Sequence, residues 1–552
     1  MELPALDILQ EWREGRVPHV QPSLPQAKRV WGRVPAGPDR LEKLLGMWID
    51  KLPEDRKDAL RLFLPLEVQV KVAFELHSKD EPLSLGTFCS GTDCVVGVVK
   101  ALIKAAAQSL NLNEDDLPEL KHTFSCEKDP VKQKFISDLC PPERLFDDAL
   151  GDGSLRTGGV FHAIANYLKT TEPEFFQFEN VATLASKPME KDKKTQSGPS
   201  NLSAVVYILR KQCLMWTHVW HLDSRQFGSG QQRTRLYGSS FRVQDLCMSE
   251  EAAHELLNDQ MNDLAGVEPC SPEEYLLPES HEEVRSQRSL SAIQALTDAT
   301  FYNQNLDNPS MSVATLFDTG GTLPLALGTK RRRLQKQRSD STSPVNAKWL
   351  AKHAQAFRDR GEDPWLGVTR LDRSEFVAPG HKLEDIYPVL RTLTRRQLEI
   401  LHLKGLSIPD REFQVIDLSQ NLQFANVSRG KMPCITPEGM KFMSKPVRYL
   451  TGIEALRFQG IYYPNEAKLG QYSQKLLQDL AGNAYEVSSC AASILSTMIF
   501  LAVNHRCRQS KPRAIRVLEE RQRADCQQKC SLLLQATECI ESASGSDMES
   551  EN

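Results

Sequence analysis

No uninterrupted apolar run in this 552-residue chain reaches the roughly 18 residues that a membrane-spanning helix needs, so no membrane segment is expected. The first residues, Met1-Glu2-Leu3-Pro4, lack the basic start and apolar stretch of a secretory signal, which predicts an intracellular chain. The 13 cysteines lack the dense spacing of a disulfide scaffold. Cys526, Cys530 and Cys539 stand close together, but no paired CxxC or HxxxH partner accompanies them. A polar helix with free thiols is the better reading there than a zinc site, and no metal is expected. Excess charge of one sign is missing too. A net charge of −4 argues against a uniformly basic nucleic-acid binder but leaves room for a local patch.

Such a patch is present. Lys330, Arg331, Arg332, Arg333, Lys336 and Arg338 precede the turn-rich Ser339-Asp340-Ser341-Thr342-Ser343-Pro344. The run reads as a nuclear-import signal, a DNA-backbone contact or a solvated loop; the first predicts a nuclear protein. With 40% hydrophobic and 25% charged residues the composition is that of an ordinary globular chain, long enough for two or three domains. Residues 1–80 carry helix-spaced apolar positions such as Leu41, Leu44, Leu45, Trp48 and Ile49 and predict an N-terminal helical extension. Residues 81–245 alternate short β-compatible and helical stretches, the texture of a doubly wound α/β sheet. The polar, basic and irregular 246–440 reads as an inserted module. The α/β texture returns over 441–508, and 509–552 is a charged helix followed by an acidic, Ser-rich end.

Five short blocks carry chemistry. Thr87-Phe88-Cys89-Ser90-Gly91-Thr92-Asp93-Cys94 joins an expected strand to an expected helix. Small residues there let a ligand approach the backbone beside a helix N-terminus. Glu127 ends a second strand, where an acid commonly accepts hydrogen bonds from ribose hydroxyls. In Phe175-Phe176-Gln177-Phe178-Glu179-Asn180-Val181 an apolar strand ends on a carboxylate that would be costly unless hydrogen-bonded or functional. Gln231-Gln232-Arg233-Thr234-Arg235 puts two arginines on one face of a strand, as donors to a base or phosphate. Arg448-Tyr449-Leu450-Thr451-Gly452-Ile453-Glu454 then precedes Gly482-Asn483. Taken singly, each could be a packing element.

In this order the blocks resemble the DNA cytosine-5 methyltransferase family, over roughly 83–243 and 434–503. The resemblance implies a Rossmann-like α/β sheet that binds S-adenosylmethionine, with an inserted target-recognition domain that reads double-stranded DNA in the major groove. It implies that a cysteine adds to C6 of a flipped-out cytosine, so that C5 can attack a methyl group. Glu179 would hold the base edge, Asn180 would orient its loop, and Arg233 would position the base, with Arg235 and Gln231 supporting. Phe88, Ser90, Gly91, Thr92, Asp93, Glu127, Asp148 and Asn483 would line the cofactor pocket.

The chain departs from the family twice. Asp93 and Cys94 stand where the family has glycines. No Pro-Cys dipeptide lies between Glu127 and Glu179, where the family carries its nucleophile. Pro269-Cys270 and Pro433-Cys434 lie outside that interval and read as structural. Too little chain separates Asp148 from Gly158 for a strand and a loop, so the expectation is that this strand and its cysteine are absent, through a mis-joined exon or true loss. A rival alignment makes Cys140 the nucleophile, although Lys134-Phe135-Ile136-Ser137-Asp138-Leu139 is a poor candidate for a buried parallel strand. A non-catalytic relative that binds DNA or cofactor, and an RNA-methylating relative, are the competing readings.

Overall fold

The computed structural model describes residues 20–64, 83–88, 91–113, 117, 119–147, 157–186, 199–287, 344–364, 389, 393–406, 412–463 and 466–510. The basic run 330–338, Ser90, Asp148 and the tail beyond 510 lie outside the described residues.

Two helices, α1 (Arg40–Asp50) and α2 (Glu54–Phe63), open the fold. Leu44, Leu45, Trp48 and Ile49 of α1 are all fully buried, the inward stripe that their spacing predicts. This N-terminal part is built into the main core. The backbone at Ser23 pairs with β-strand residue Trp220, and Trp31 with Val267. A parallel unit follows: β1 (Leu83–Phe88), α3 (Cys94–Leu110), β2 (Leu120–Cys126), α4 (Pro130–Leu139) and β3 (Arg144–Phe146), with β1 beside β2 and β2 beside β3. Next come α5 (Thr157–Thr171), β4 (Phe175–Val181), α6 (Asn201–Gln212), β5 (Met215–Asp223), β6 (Thr234–Arg242) and α7 (Glu250–Leu264).

The expected single sheet is divided in two. One sheet runs β1-β2-β3, the other β4-β6-β5, so among the described residues β1 and β4 are both edge strands. One further strand between them would join the halves into a doubly wound sheet in the order β3-β2-β1, new strand, β4-β6-β5. Among the described residues no strand lies between β3 and α5. The interval 148–156, where the strand and its cysteine are expected to be absent, lies outside the described residues. The cost of the split is visible on β4, whose phenylalanines would be enclosed in a central strand but are only half-buried.

The insert contains α8 (Pro344–Asp359), α9 (Arg395–Lys404) and a four-stranded antiparallel sheet of β7 (Gln414–Asp417), β8 (Ser428–Arg429), β9 (Lys441–Ser444) and β10 (Val447–Tyr449), ordered β10-β9-β7-β8. Phe357, Leu398, Leu401, Ile416 and Phe442 form its separate core. Both expected insert boundaries shift. Residues 441–449 pair with the insert's strands, and α7 through Leu277 pack into the main core, because their apolar faces meet it.

The chain then returns through α10 (Gly452–Phe458), α11 (Gln474–Asn483) and α12 (Val487–Ser510). By length and composition the region 474–508 could cross a membrane, which the search for uninterrupted apolar runs missed. Here α12 is the central core helix. Ala491, Leu495, Ile499 and Phe500 are buried on several sides of it, as expected of a helix apolar all round. Its polar groups are satisfied from within: Thr497 Oγ1 lies 2.8 Å from Ser239 Oγ, and Asn504 Nδ2 donates to the Asp245 carbonyl at 2.7 Å.

Candidate active site

The first turn leaves the C-terminal end of β1 with Gly91 and Asp93 both in the left-handed region, at φ +54° and +50°. Gly does this freely, and Asp is among the few other residues that tolerate it. The position therefore suits glycine, and Asp93 occupies it with its carboxylate turned into the strands. Its Oδ1 accepts from Thr87 Oγ1 at 2.7 Å and its Oδ2 from Ser125 Oγ at 2.6 Å. Asp93 is thus a buried tie between β1 and β2, a role that replaces the expected cofactor contact. Phe88 is likewise spent on packing, its ring 5.2 Å from Phe124 and 5.4 Å from Tyr167.

Glu127 stands at the end of β2 as expected and organises the same turn. Its Oε2 accepts from the Gly91 amide at 3.1 Å and its Oε1 from the Asp129 amide at 3.0 Å. Nothing lies within 4 Å of where a Cβ on Gly91 would stand, so the turn is open on that side. Thr92 is buried. A ligand could approach the backbone at Gly91 and reach Glu127, which fits the adenosine end of the implied cofactor. The Cys94 thiol, which starts α3, is pushed up to about 12 by burial and lies within electrostatic reach of both Asp93 and Glu179. The ends of β1 and β4 therefore face one region.

Glu179 and the two arginines meet there. Glu179 Oε1 lies 2.9 Å from Arg235 Nε and 3.9 Å from Arg233 Nη2. Burial raises the carboxyl's pKa, and the two guanidinium groups offset only part of that rise. The register explains the pairing: Val181 is opposite Arg235 and Glu179 opposite Tyr237 across β4 and β6, so Glu179 and Arg235 are diagonal neighbours on one face.

The arginines divide their work differently from the expectation. Arg233 is buried and its terminal nitrogens are committed to main-chain carbonyls. Nη1 donates to Ile435 O at 3.1 Å and Gly482 O at 3.2 Å, and Nη2 to Ala484 O at 2.8 Å. It clamps the insert's exit and the Gly482–Ala484 segment to β6. Arg235 is the arginine that remains beside the carboxylate. Gln231 is fully buried and serves through its backbone, bridging to Met432 and accepting from Ser224 Oγ at 2.6 Å. Asn180 is exposed and accepts the Val181 amide at 2.8 Å. Asn483 is exposed, donating to Asp479 O at 3.0 Å, although its neighbours Gly482 and Ala484 are bound to Arg233. Gly482 is required here: a Cβ would come 2.2 Å from Pro437 N and 2.5 Å from the Thr436 carbonyl carbon.

Cys140 caps the end of α4. Residues 134–139 are helical rather than a strand, and burial pushes its thiol up to about 11. Cys434, read as structural from the sequence, comes to the site instead. Its sulfur is 3.6 Å from Arg235 Nη2 and 3.9 Å from Arg233 Nη1. The Pro-Cys dipeptide was a signal for it, but one out of the family's order. Among the described residues no group of three or more His, Cys, Asp or Glu side chains is gathered for a metal.

An acid and paired guanidinium groups, at the strand ends of an α/β domain and facing a small-residue turn, define a site for a planar polar ligand. The family of C-5 cytosine-specific DNA methylases matches residues 151–494, more than half of the chain, and the chain belongs to that family. The family's Rossmann-like methyltransferase architecture is thus the fold class, with its sheet interrupted between β1 and β4. The match begins after β3, so the Gly91 turn and Glu127 lie outside it. Among solved structures the chain is similar to the Dnmt2 methyltransferase of S. pombe, at 11% identity and TM-score 0.34, covering 76% of this chain and 98% of that one. It is also similar to a mutant DNMT2 of Spodoptera frugiperda, at 10% identity and TM-score 0.32, covering 76% and 99%. No curated protein matches the chain.

Proposed function

We propose that the chain methylates carbon 5 of a cytosine flipped out of double-stranded DNA, with S-adenosylmethionine as donor. The observation that carries this reading is the convergence of Glu179, Arg235, Arg233 and the Gly482–Ala484 segment. These come from distant stretches of chain.

A carboxyl that keeps its proton can donate to the N3 acceptor of cytosine while its other oxygen accepts from the amino group. The raised pKa of Glu179 favours that form. Arg235 is placed to donate to a polar atom of the same ring, and Arg233 holds the surrounding walls. Gly91, Thr92, Glu127 and the Asn483 segment would hold the donor, which supplies an electrophilic methyl carbon. The basic run 330–338 supports DNA-backbone contact and a nuclear location in this reading. A second reading rests on the edge positions of β1 and β4 among the described residues: a relative that binds base and cofactor without transferring the group.

Transfer of a labelled methyl group from S-adenosylmethionine to duplex DNA, recovered as 5-methylcytosine, is the expected result. Saturable binding of both ligands without any 5-methylcytosine would favour the second reading, and binding of neither would overturn both.

A further inference from the structure

We propose that Cys434, delivered by the exit of the insert, is the nucleophile that adds to C6 of the bound cytosine in this chain. The inference rests on the cytosine-binding part of the reading above and replaces the missing Pro-Cys loop.

The placement of Cys434 is over-determined. Gln232 N donates to Met432 O at 2.8 Å, and Met432 N donates to Gly230 O at 3.0 Å. Arg233 Nη1 then takes the Ile435 carbonyl at 3.1 Å. Residues 432–435 are thereby laid along the arginine block, with Cys434 half-buried between two fixed neighbours. Its sulfur contacts Arg235 Nη2 at 3.6 Å, and Nε of the same guanidinium lies 2.9 Å from Glu179 Oε1. One planar group thus spans sulfur and carboxylate. A pyrimidine whose N3 edge meets Glu179 turns its opposite ring atom, C6, away from the acid, so the proposal requires the Cys434 sulfur to meet the far edge of the ring.

A second observation points to a missing ligand. Glu179 Oε1 is buried with the Arg235 ion pair, at 2.9 Å, beside it. Arg233 Nε is buried without a partner. Unsatisfied buried polar atoms are costly and call for an explanation, which a bound polar base would supply. Of the other cysteines near the site, Cys490 is buried, and Cys94, half-buried like Cys434, starts α3, where its surroundings push the thiol up to about 12.

The step balances without a donor molecule. The thiol, directed at the Ile435 carbonyl at 3.6 Å, gives its proton to solvent. The Sγ–C6 bond forms as the C5=C6 electron pair moves onto C5, which takes a proton from water. Loss of the original C5 proton then returns the pair, the C6–S bond breaks, and the thiolate is regenerated. The net change is exchange of the C5 hydrogen with water.

The test is tritium release from duplex DNA carrying 5-tritiated cytosine, without S-adenosylmethionine. Release by the unmodified chain, falling roughly a thousandfold or to background in Cys434→Ser and Cys434→Ala, is expected. Thermal melting of both variants checks that they fold. In the unmodified chain, incubation with a 5-fluorocytosine duplex and S-adenosylmethionine should give a covalent adduct whose peptide contains Cys434. No release by the unmodified chain, release that survives in both variants, or an adduct on Cys140 would each overturn the inference. Release that depends on Cys434 but is never followed by methyl transfer would support it while refuting methyl transfer as the function.

Discussion

In the proposed function Glu179 is the residue on which base recognition turns, and its raised pKa predicts a pH signature for that role. Its pKa is raised above the ordinary glutamate value, with burial as the dominant cause. The neutral acid that pairs with cytosine is therefore fully present below the folded-state pKa and is lost as pH rises through it. Binding of a duplex with an unpaired cytosine should therefore weaken as pH rises through that raised pKa. Glu179→Gln, which stays neutral with the same shape, should bind without the pH dependence. A flat profile for the unmodified chain, measured by fluorescence anisotropy, would contradict this. That Glu179 needs a partner was legible in the sequence, because a carboxylate ending an apolar strand is costly alone, and the structure pairs it with Arg235. The roles of Arg233 and Cys434 were not. Which arginine is consumed by carbonyls depends on a segment about 200 residues away in the chain, and no local pattern encodes that.

At the scale of elements, the Arg448–Glu454 block proves to be a joint rather than a contact with substrate. Arg448 Nη1 and Nη2 grip the two oxygens of Glu454 at 2.7 and 2.6 Å, and both residues are buried. Glu454 also accepts from the amides of Thr451 at 2.9 Å and Leu277 at 2.7 Å. Thr451 in turn caps α10 in a reciprocal capping box. The block fastens β10, α10 and the chain leaving α7 to one another. Glu454→Ala leaves a buried guanidinium without its carboxylate and two buried amides without partners, and should destabilise the fold by about 3–5 kcal/mol. Chemical denaturation measures it, and a loss under 1 kcal/mol, the scale of an exposed pair, would refute the assignment. Helices were the more readable elements: the apolar spacing of α1 and the small-residue turn before α3 predicted both. The limits of the insert were not, because residues 441–449 form two short strands, β9 paired with the distant β7 and β10 paired with β9.

For the whole molecule, the divided sheet is the decisive feature. The short interval between Asp148 and Gly158 predicts a missing strand; residues 148–156 lie outside the described residues, among which β1 and β4 each pair on one side alone. Edge strands expose backbone amides that a central strand would bury. Hydrogen–deuterium exchange should therefore be faster over 175–181 than over 234–242, which is paired on both sides. Equal protection would show that the gap is filled.

The central claim is that one site, walled by Glu179 and the two arginines, receives a cytosine taken out of its stack. A duplex carrying a fluorescent cytosine analogue at a mismatched position reports unstacking directly. The account predicts a saturable rise in fluorescence as the protein binds, abolished in Glu179→Ala while that variant still binds the duplex. Binding with no change in fluorescence, or an undiminished rise in Glu179→Ala, would contradict it.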